Sequence, residues 1–151
     1  MQHKATQSRR PATAVSRDDR GGTLVEFALI APLLFFLLFG LIEASWAFSQ
    51  QLEIRHGARE TVRLAATNYG DLDTIVAEGC QRMDYTAGGA QVSLTSTGSA
   101  IGDSVRVTVQ APLQTLTGLL DPIFGGRTVA SSAEMRIERT ASWSDGLRAC
   151  P

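Results

Sequence analysis

From Phe27 to Ile42 the chain reads FALIAPLLFFLLFGLI without a charge, and the apolar character reaches back through Leu24 and Val25 and on past Glu43 to Trp46 and Phe48. A helix needs about 20 mostly apolar residues to cross a bilayer. The competing reading is a helix buried in a soluble core, but a helix that is oily on every face needs a large protein around it. A chain of 151 residues does not supply one. Residues 22–48 are therefore read as a transmembrane helix.

Flanking charge sets the orientation. Lys4, Arg9, Arg10, Arg17 and Arg20 precede the segment, while Arg55, Arg59 and Arg63 follow it closely, five against three. The positive-inside rule keeps the N-terminus in the cytoplasm. In a bacterium this makes the protein a single-pass inner-membrane chain, with residues 49–151 in the periplasm. The whole chain carries 14 basic and 15 acidic residues, a net charge of -1, which leaves no basic surplus to neutralise phosphates, and no nucleic-acid partner is expected. Its length fits one compact domain with an appendage.

Three export readings compete for the N-terminal region. Ser8-Arg9-Arg10 resembles a twin-arginine signal, but Pro11 follows and the oily run begins only after Arg20. Ser45-Trp46-Ala47 places small residues where a signal peptidase inspects them, yet the apolar stretch exceeds the usual h-region of about 7 to 15 residues. The third reading starts from the glycine pair that separates the charged leader from the oily run. Residues 20–43 run RGGTLVEFALIAPLLFFLLFGLIE. A glycine followed by five residues, the fifth a glutamate, and then an aromatic, all opening a hydrophobic helix, resembles the processing site of a type IV pilin precursor. With Gly21 as the last leader residue, Gly22 becomes the mature N-terminus, Glu26 the fifth residue and Phe27 the sixth.

The string most resembles the TadE-like pseudopilins of tight-adherence (Flp) systems, with VTVQAPLQTL and AEMRIERT similar to the tail of that family. Flp major pilins are short, almost all helix and commonly carry Glu-Tyr where this chain has Glu26-Phe27, and TadG-type relatives carry a longer periplasmic region. The resemblance therefore points to a minor pseudopilin. It implies a cytoplasmic leader over residues 1–21, removed by a membrane aspartyl prepilin peptidase and commonly followed by N-methylation. It also implies as partners that peptidase, other pilins and pseudopilins, and the inner-membrane assembly platform.

Glu26 stands out on physical grounds as well. A carboxylate near one end of an apolar helix costs a few kcal/mol or more at depth, so it is rare unless paired or able to reach water. One reading is a helix-start residue favoured by the macrodipole; the other is a partner for the α-amino group of a neighbouring subunit. Glu43 lies seventeen residues on, about 25 Å along a helix, near the opposite interface, and is read as solvated and without function. Pro32 removes a helical hydrogen bond to Ala28 and should bend the helix, while Gly40 is a weak signal for close helix packing.

Beyond Phe48 the pattern stays helical. Leu52, Ala58, Val62 and Ala65 keep one apolar stripe, and Glu53, Arg55, Arg59, Glu60 and Arg63 take the other face, read as solvated. Unbroken from Thr23 to Thr67 this helix would be about 68 Å long. Asn68 and Gly70 supply the stop, and Asp71 is the candidate N-cap of a second helix over residues 71–83. Alternation then marks strands at Val92 and Leu94, at Val105, Val107 and Val109, and at Val129, Ala133, Met135 and Ile137, with a turn at Gly98 to Asp103. The expected fold is α+β and pilin-like, the outer half of the long helix covering one face of a small antiparallel sheet. Leu113, Leu116, Leu119, Leu120, Ile123 and Phe124 lie between strands, either in a short core-covering helix or in an exposed subunit contact.

Cys80 and Cys150 are the only cysteines, both on the side assigned to the periplasm, where disulfides persist. Their spacing matches no metal motif. Pairing within one chain is the leading expectation, against free or intermolecular thiols, and in the loop-entropy model such a bridge contributes about 4 kcal/mol.

No enzyme is expected. The only histidines are His3, in the leader, and His56, on the long helix, so no nucleophile has an evident base. There is no G-x-S-x-G, H-E-x-x-H or P-loop, Gly88-Gly89 and Gly125-Gly126 read as turns, and Asp71 and Asp73 read as helix-start acids. No cofactor is implied. Two functions from different classes remain. One is a minor pseudopilin acting structurally in assembly of an Flp pilus. The other is an uncleaved single-pass anchored periplasmic interaction module, separated from the first by cleavage at Gly21.

Overall fold

The computed structural model describes residues 19–83, 88–118 and 121–151. Residues 1–18, with Lys4, Arg9, Arg10 and Arg17, lie outside the described residues, as do residues 84–87 and Leu119 and Leu120. The chain divides into two compact units, Met1–Leu38 and Phe39–Pro151.

Helix α1 runs Asp19–Ala66 and passes through Pro32 as helix. It starts four residues before the expected Thr23, so the glycine pair lies inside its first turns. In the first unit every side chain from Gly21 to Leu38 is exposed except the half-buried Ala31. From Phe27 to Leu38 this exposed surface carries no charge and suits lipid on all sides, and α1 is long and apolar enough to be a single-pass membrane anchor.

The second unit contains the rest. The C-terminus of α1 is closed by a left-handed residue, Asn68 at φ 54°. The Tyr69 N–H reaches the Leu64 carbonyl at 3.0 Å and the Asn68 N–H the Ala65 carbonyl at 3.1 Å. This is the Schellman arrangement, which asparagine tolerates better than residues with bulkier side chains. Further carbonyl capacity there is taken by the C-terminal segment, with the Trp143 indole donating to Ala65 at 2.9 Å and the Glu138 N–H to Ala66 at 2.9 Å. Asn68 Oδ1 accepts from both the N–H and the hydroxyl of Ser142, each at 3.0 Å.

Helix α2, Leu72–Gln81, is capped by Asp71, whose carboxylate accepts the Thr74 N–H at 2.9 Å. It packs on α1 through small residues. A Cβ built on Gly79 would lie 2.0 Å from Thr61 Oγ1, and one on Gly57 2.3 Å from Met83 Sδ. Glycine at both positions is what allows this approach.

Four antiparallel strands follow: β1 Gln91–Ser96, β2 Ser104–Pro112, β3 Thr128–Arg136 and β4 Gly146–Ala149, in the order β3-β2-β1-β4. The expected strands are all present, although Ile137 falls just past the end of β3. Val92, Leu94, Val105, Val107, Val109 and Ala111 point to one face and are buried with Ile54, Ala58, Val62 and Ala65 of α1 and Ile75 and Val76 of α2. The outer half of α1 and α2 thus cover one face of the sheet, an α+β arrangement. The opposite face is polar, with Arg106 and Glu134 paired across β2 and β3 at 2.7 Å.

Candidate functional site

Gly21 and Gly22 are helical, and nothing lies within 4 Å of a Cβ built on either. Glu26 and Phe27 are exposed on the same helix. Glu26 is the eighth residue of α1, beyond the first turn in which the macrodipole acts. Gly22 and Glu26 are related as i and i+4, so a new amino group at Gly22 would stand on the face of the helix that carries Glu26.

The structure corrects the reading of Glu43. It is not solvated: only 3% of it is exposed, and its carboxylate is held by the connection between β2 and β3. The Leu116 N–H reaches one oxygen at 2.9 Å, and the Thr117 N–H and hydroxyl reach the other at 2.8 and 2.5 Å. Two turns further along α1, buried Gln50 repeats the device. Its amide donates to the Gln114 carbonyl at 2.7 Å and accepts the Gln114 N–H at 2.9 Å. Together these side chains clasp residues 114–117 to α1 and satisfy backbone groups that no strand pairs. The sequence signal for this clasp was a polar pair spaced i, i+7 where the apolar run ends. Nothing local says what such a pair binds.

Among the described residues of 113–127 the one helix is the short α3, Asp121–Phe124. Leu116 and Ile123 are exposed there, Leu113 and Phe124 half-buried. A core-covering helix is not what forms. Arg127 lies over the Phe124 ring at 5.9 Å, and Thr115 donates its hydroxyl to Asp121.

Cys80 and Cys150 are joined in a disulfide with Cα atoms 5.6 Å apart. The bridge links the end of α2 to the residue after β4, and the Cys150 N–H donates to the Ala90 carbonyl at 2.9 Å. The remaining polar candidates are occupied structurally. Asp71 caps α2, Asp73 pairs with Arg148 at 2.5 Å, and Glu60 pairs with Arg63 at 2.7 Å. The hydrogen bond from Arg63 holds the Glu60 carboxyl below the usual range, and that from Arg106 does the same for Glu134. Arg55 and Arg59 are exposed. Among the described residues no group of three or more His, Cys, Asp or Glu side chains converges as a metal site would require.

The family model described as TadE-like protein matches residues 21–63. The match begins at the glycine pair, covers the apolar run, Glu26, Glu43 and Gln50, and stops before the sheet. Over these residues it bears out the resemblance carried by the RGGTLVEFAL string. No curated protein and no solved structure matches the chain.

Proposed function

We propose that this chain, similar to the TadE-like family over residues 21–63, is a minor pseudopilin that acts structurally in the assembly of a tight-adherence (Flp) pilus. A prepilin peptidase cuts between Gly21 and Gly22. The mature protein stays anchored in the inner membrane by residues 22–48, its folded domain periplasmic, until it joins other pilins and pseudopilins at the assembly platform. Its role is not catalytic.

The observation that carries this reading is the coincidence of two boundaries: the family match begins at Gly21, and Glu26 falls five residues into the helix that cleavage there would release. Two adjacent glycines also lower helix stability by about 1 kcal/mol each relative to alanine. The first turns of α1 should therefore open readily for a peptidase, while the apolar run beyond stays helical.

Intact mass after expression with and without the peptidase tests the proposal. A product starting at Gly22 only when the peptidase is present is the expected result. An unchanged chain would instead favour the uncleaved anchored interaction module, and a product starting at Phe48 would indicate ordinary signal-peptide cleavage.

A further inference from the structure

We propose that the connection between β2 and β3, through its described residues 113–118 and 121–127, docks on the periplasmic leaflet of the bilayer, with Leu116, Ile123 and Phe124 entering the lipid interface beside Phe48. The proposal rests on the reading of residues 22–48 as a membrane anchor, and it goes beyond that reading by giving the folded domain a second, peripheral membrane contact.

The level of this connection along α1 is set by the clasp. The stretch from Leu24 to Ile42, charged only at Glu26 near its start, comprises 19 residues, about 28 Å of helix and close to the hydrocarbon thickness of a bilayer. Glu43 is the first charge beyond it. Its carboxylate is bonded to the N–H groups of Leu116 and Thr117, so this part of the connection lies where the hydrocarbon ends. Gln50 holds Gln114 within two turns of the same level.

The chemistry at that level suits lipid. Leu116 is 53% exposed, Ile123 54% and Phe48 72%. Ala47, Phe48, Leu113, Phe124 and Val129 line an apolar groove of about 320 Å³ between α1 and the connection. Leu41, seven residues before Phe48 and so on the same face of α1, is exposed, as is Ile42, and both belong to the run read as membrane-spanning. Residues 112–127 contain one acid and one base, Asp121 and Arg127, and the acid accepts a hydroxyl from Thr115. Arg127 lies over the Phe124 ring, an exposed cation beside the apolar groove that anionic headgroups would attract.

The far end of the same unit gives a contrast. Ile101 is 69% exposed, but its turn lies by the end of α1: the Gly102 N–H bonds Ile137, and the Glu138 N–H bonds Ala66. Ala66 is 23 residues beyond Glu43, about 35 Å along the helix. Exposed apolar side chains at the two ends should therefore meet different solvents.

The test uses the full chain with its Cys80–Cys150 disulfide intact, in vesicles of phosphatidylethanolamine and phosphatidylglycerol. Single nitroxide labels are placed through Leu116→Cys, Ile123→Cys, Ile101→Cys and Leu34→Cys, with disulfide formation as the check on folding. Collision with oxygen should exceed collision with a water-soluble nickel chelate at positions 34, 116 and 123, and the reverse should hold at 101. A lipid-exposed label at 34 with water-exposed labels at both 116 and 123 would overturn the docking while leaving the anchor intact. A water-exposed label at 34 would overturn both. Labels at 116 and 123 shielded from both reagents and broadened by spins of neighbouring copies would show a second copy on this surface, and would also overturn the lipid contact.

Discussion

Glu43 and Thr117 are joined by two hydrogen bonds, the Thr117 N–H at 2.8 Å and its hydroxyl at 2.5 Å, across 74 positions of the chain. The pair fastens the connection between β2 and β3 to the long helix where the apolar run ends. Glu43→Ala leaves the Leu116 and Thr117 N–H groups without their acceptor, and such groups are costly when shielded from water. Proteolysis within residues 113–127 should accelerate in Glu43→Ala. Glu43→Gln, which keeps a carbonyl acceptor, should be affected less. Equal cleavage rates in Glu43→Ala and the parent chain would mean that the clasp does not hold the connection.

Gly79 should not accept a side chain. Its α-carbon faces Thr61, whose hydroxyl donates to the Gly57 carbonyl at 2.7 Å and would lie 2.0 Å from a new Cβ. Overpacking at a buried contact costs about 1–3 kcal/mol, and Gly79→Ala is expected to destabilise the domain by that amount. Adding Thr61→Ala removes the closest atom and should recover part of the loss, so the two substitutions will not be additive in denaturant unfolding.

Reduction of the disulfide should lower the denaturation midpoint without unmaking the sheet, because the bridge acts mainly on the unfolded chain by closing a long loop. The loop-entropy model puts its contribution at about 4 kcal/mol. Paired melts with and without reductant measure it, and non-reducing peptide mapping should recover one crosslinked peptide containing Cys80 and Cys150. Free thiols at both positions would contradict the structure.

Acid should weaken the start of α2. The Asp71 carboxyl is held below the usual aspartate range by hydrogen bonds from the side chain and the backbone N–H of Thr74. A carboxylate with a lowered folded-state pKa contributes stability that is complete above its unfolded value, about 4, and is lost as pH falls through the folded value. Asp71→Asn keeps an acceptor for the cap but cannot titrate. Between pH 7 and pH 3 the parent chain should lose more of its denaturation midpoint than Asp71→Asn, and identical losses would remove Asp71 as the cause.

Glu26→Gln separates assembly from anchoring. The amide keeps size and hydrogen-bonding capacity but not charge, so insertion should persist. Cleavage, which the family resemblance attributes mainly to the glycine, should persist as well. What is expected to fail is co-purification with partner pilins and the count of surface pili, with Glu26→Asp retaining more of both. Normal pili in Glu26→Gln would leave Glu26 without an assembly role.

Local physics made much of this chain legible from sequence. Absence of charge over Phe27–Ile42 determined an apolar helix with no soluble core to enter. Asp71 as an N-cap and Asn68 as a left-handed stop follow from hydrogen bonds spanning a few residues, and β1 to β3 follow from alternation of apolar with polar residues, most regular at Val105, Val107 and Val109 of β2. Strand β4 gave no such signal. Leu147 points to the exposed face, and Arg148, across from buried Val92, reaches Asp73 at the edge of α2, so its alternation has no apolar stripe. Pairing with β1 defines it as a strand. The fates of Glu43 and Gln50 were equally beyond the sequence, because a carboxylate at the end of an apolar run is solvated or buried according to what a segment some seventy residues away brings to it. The sequence placed a charge at the edge of an apolar helix; only the folded chain supplied the N–H groups that bury it.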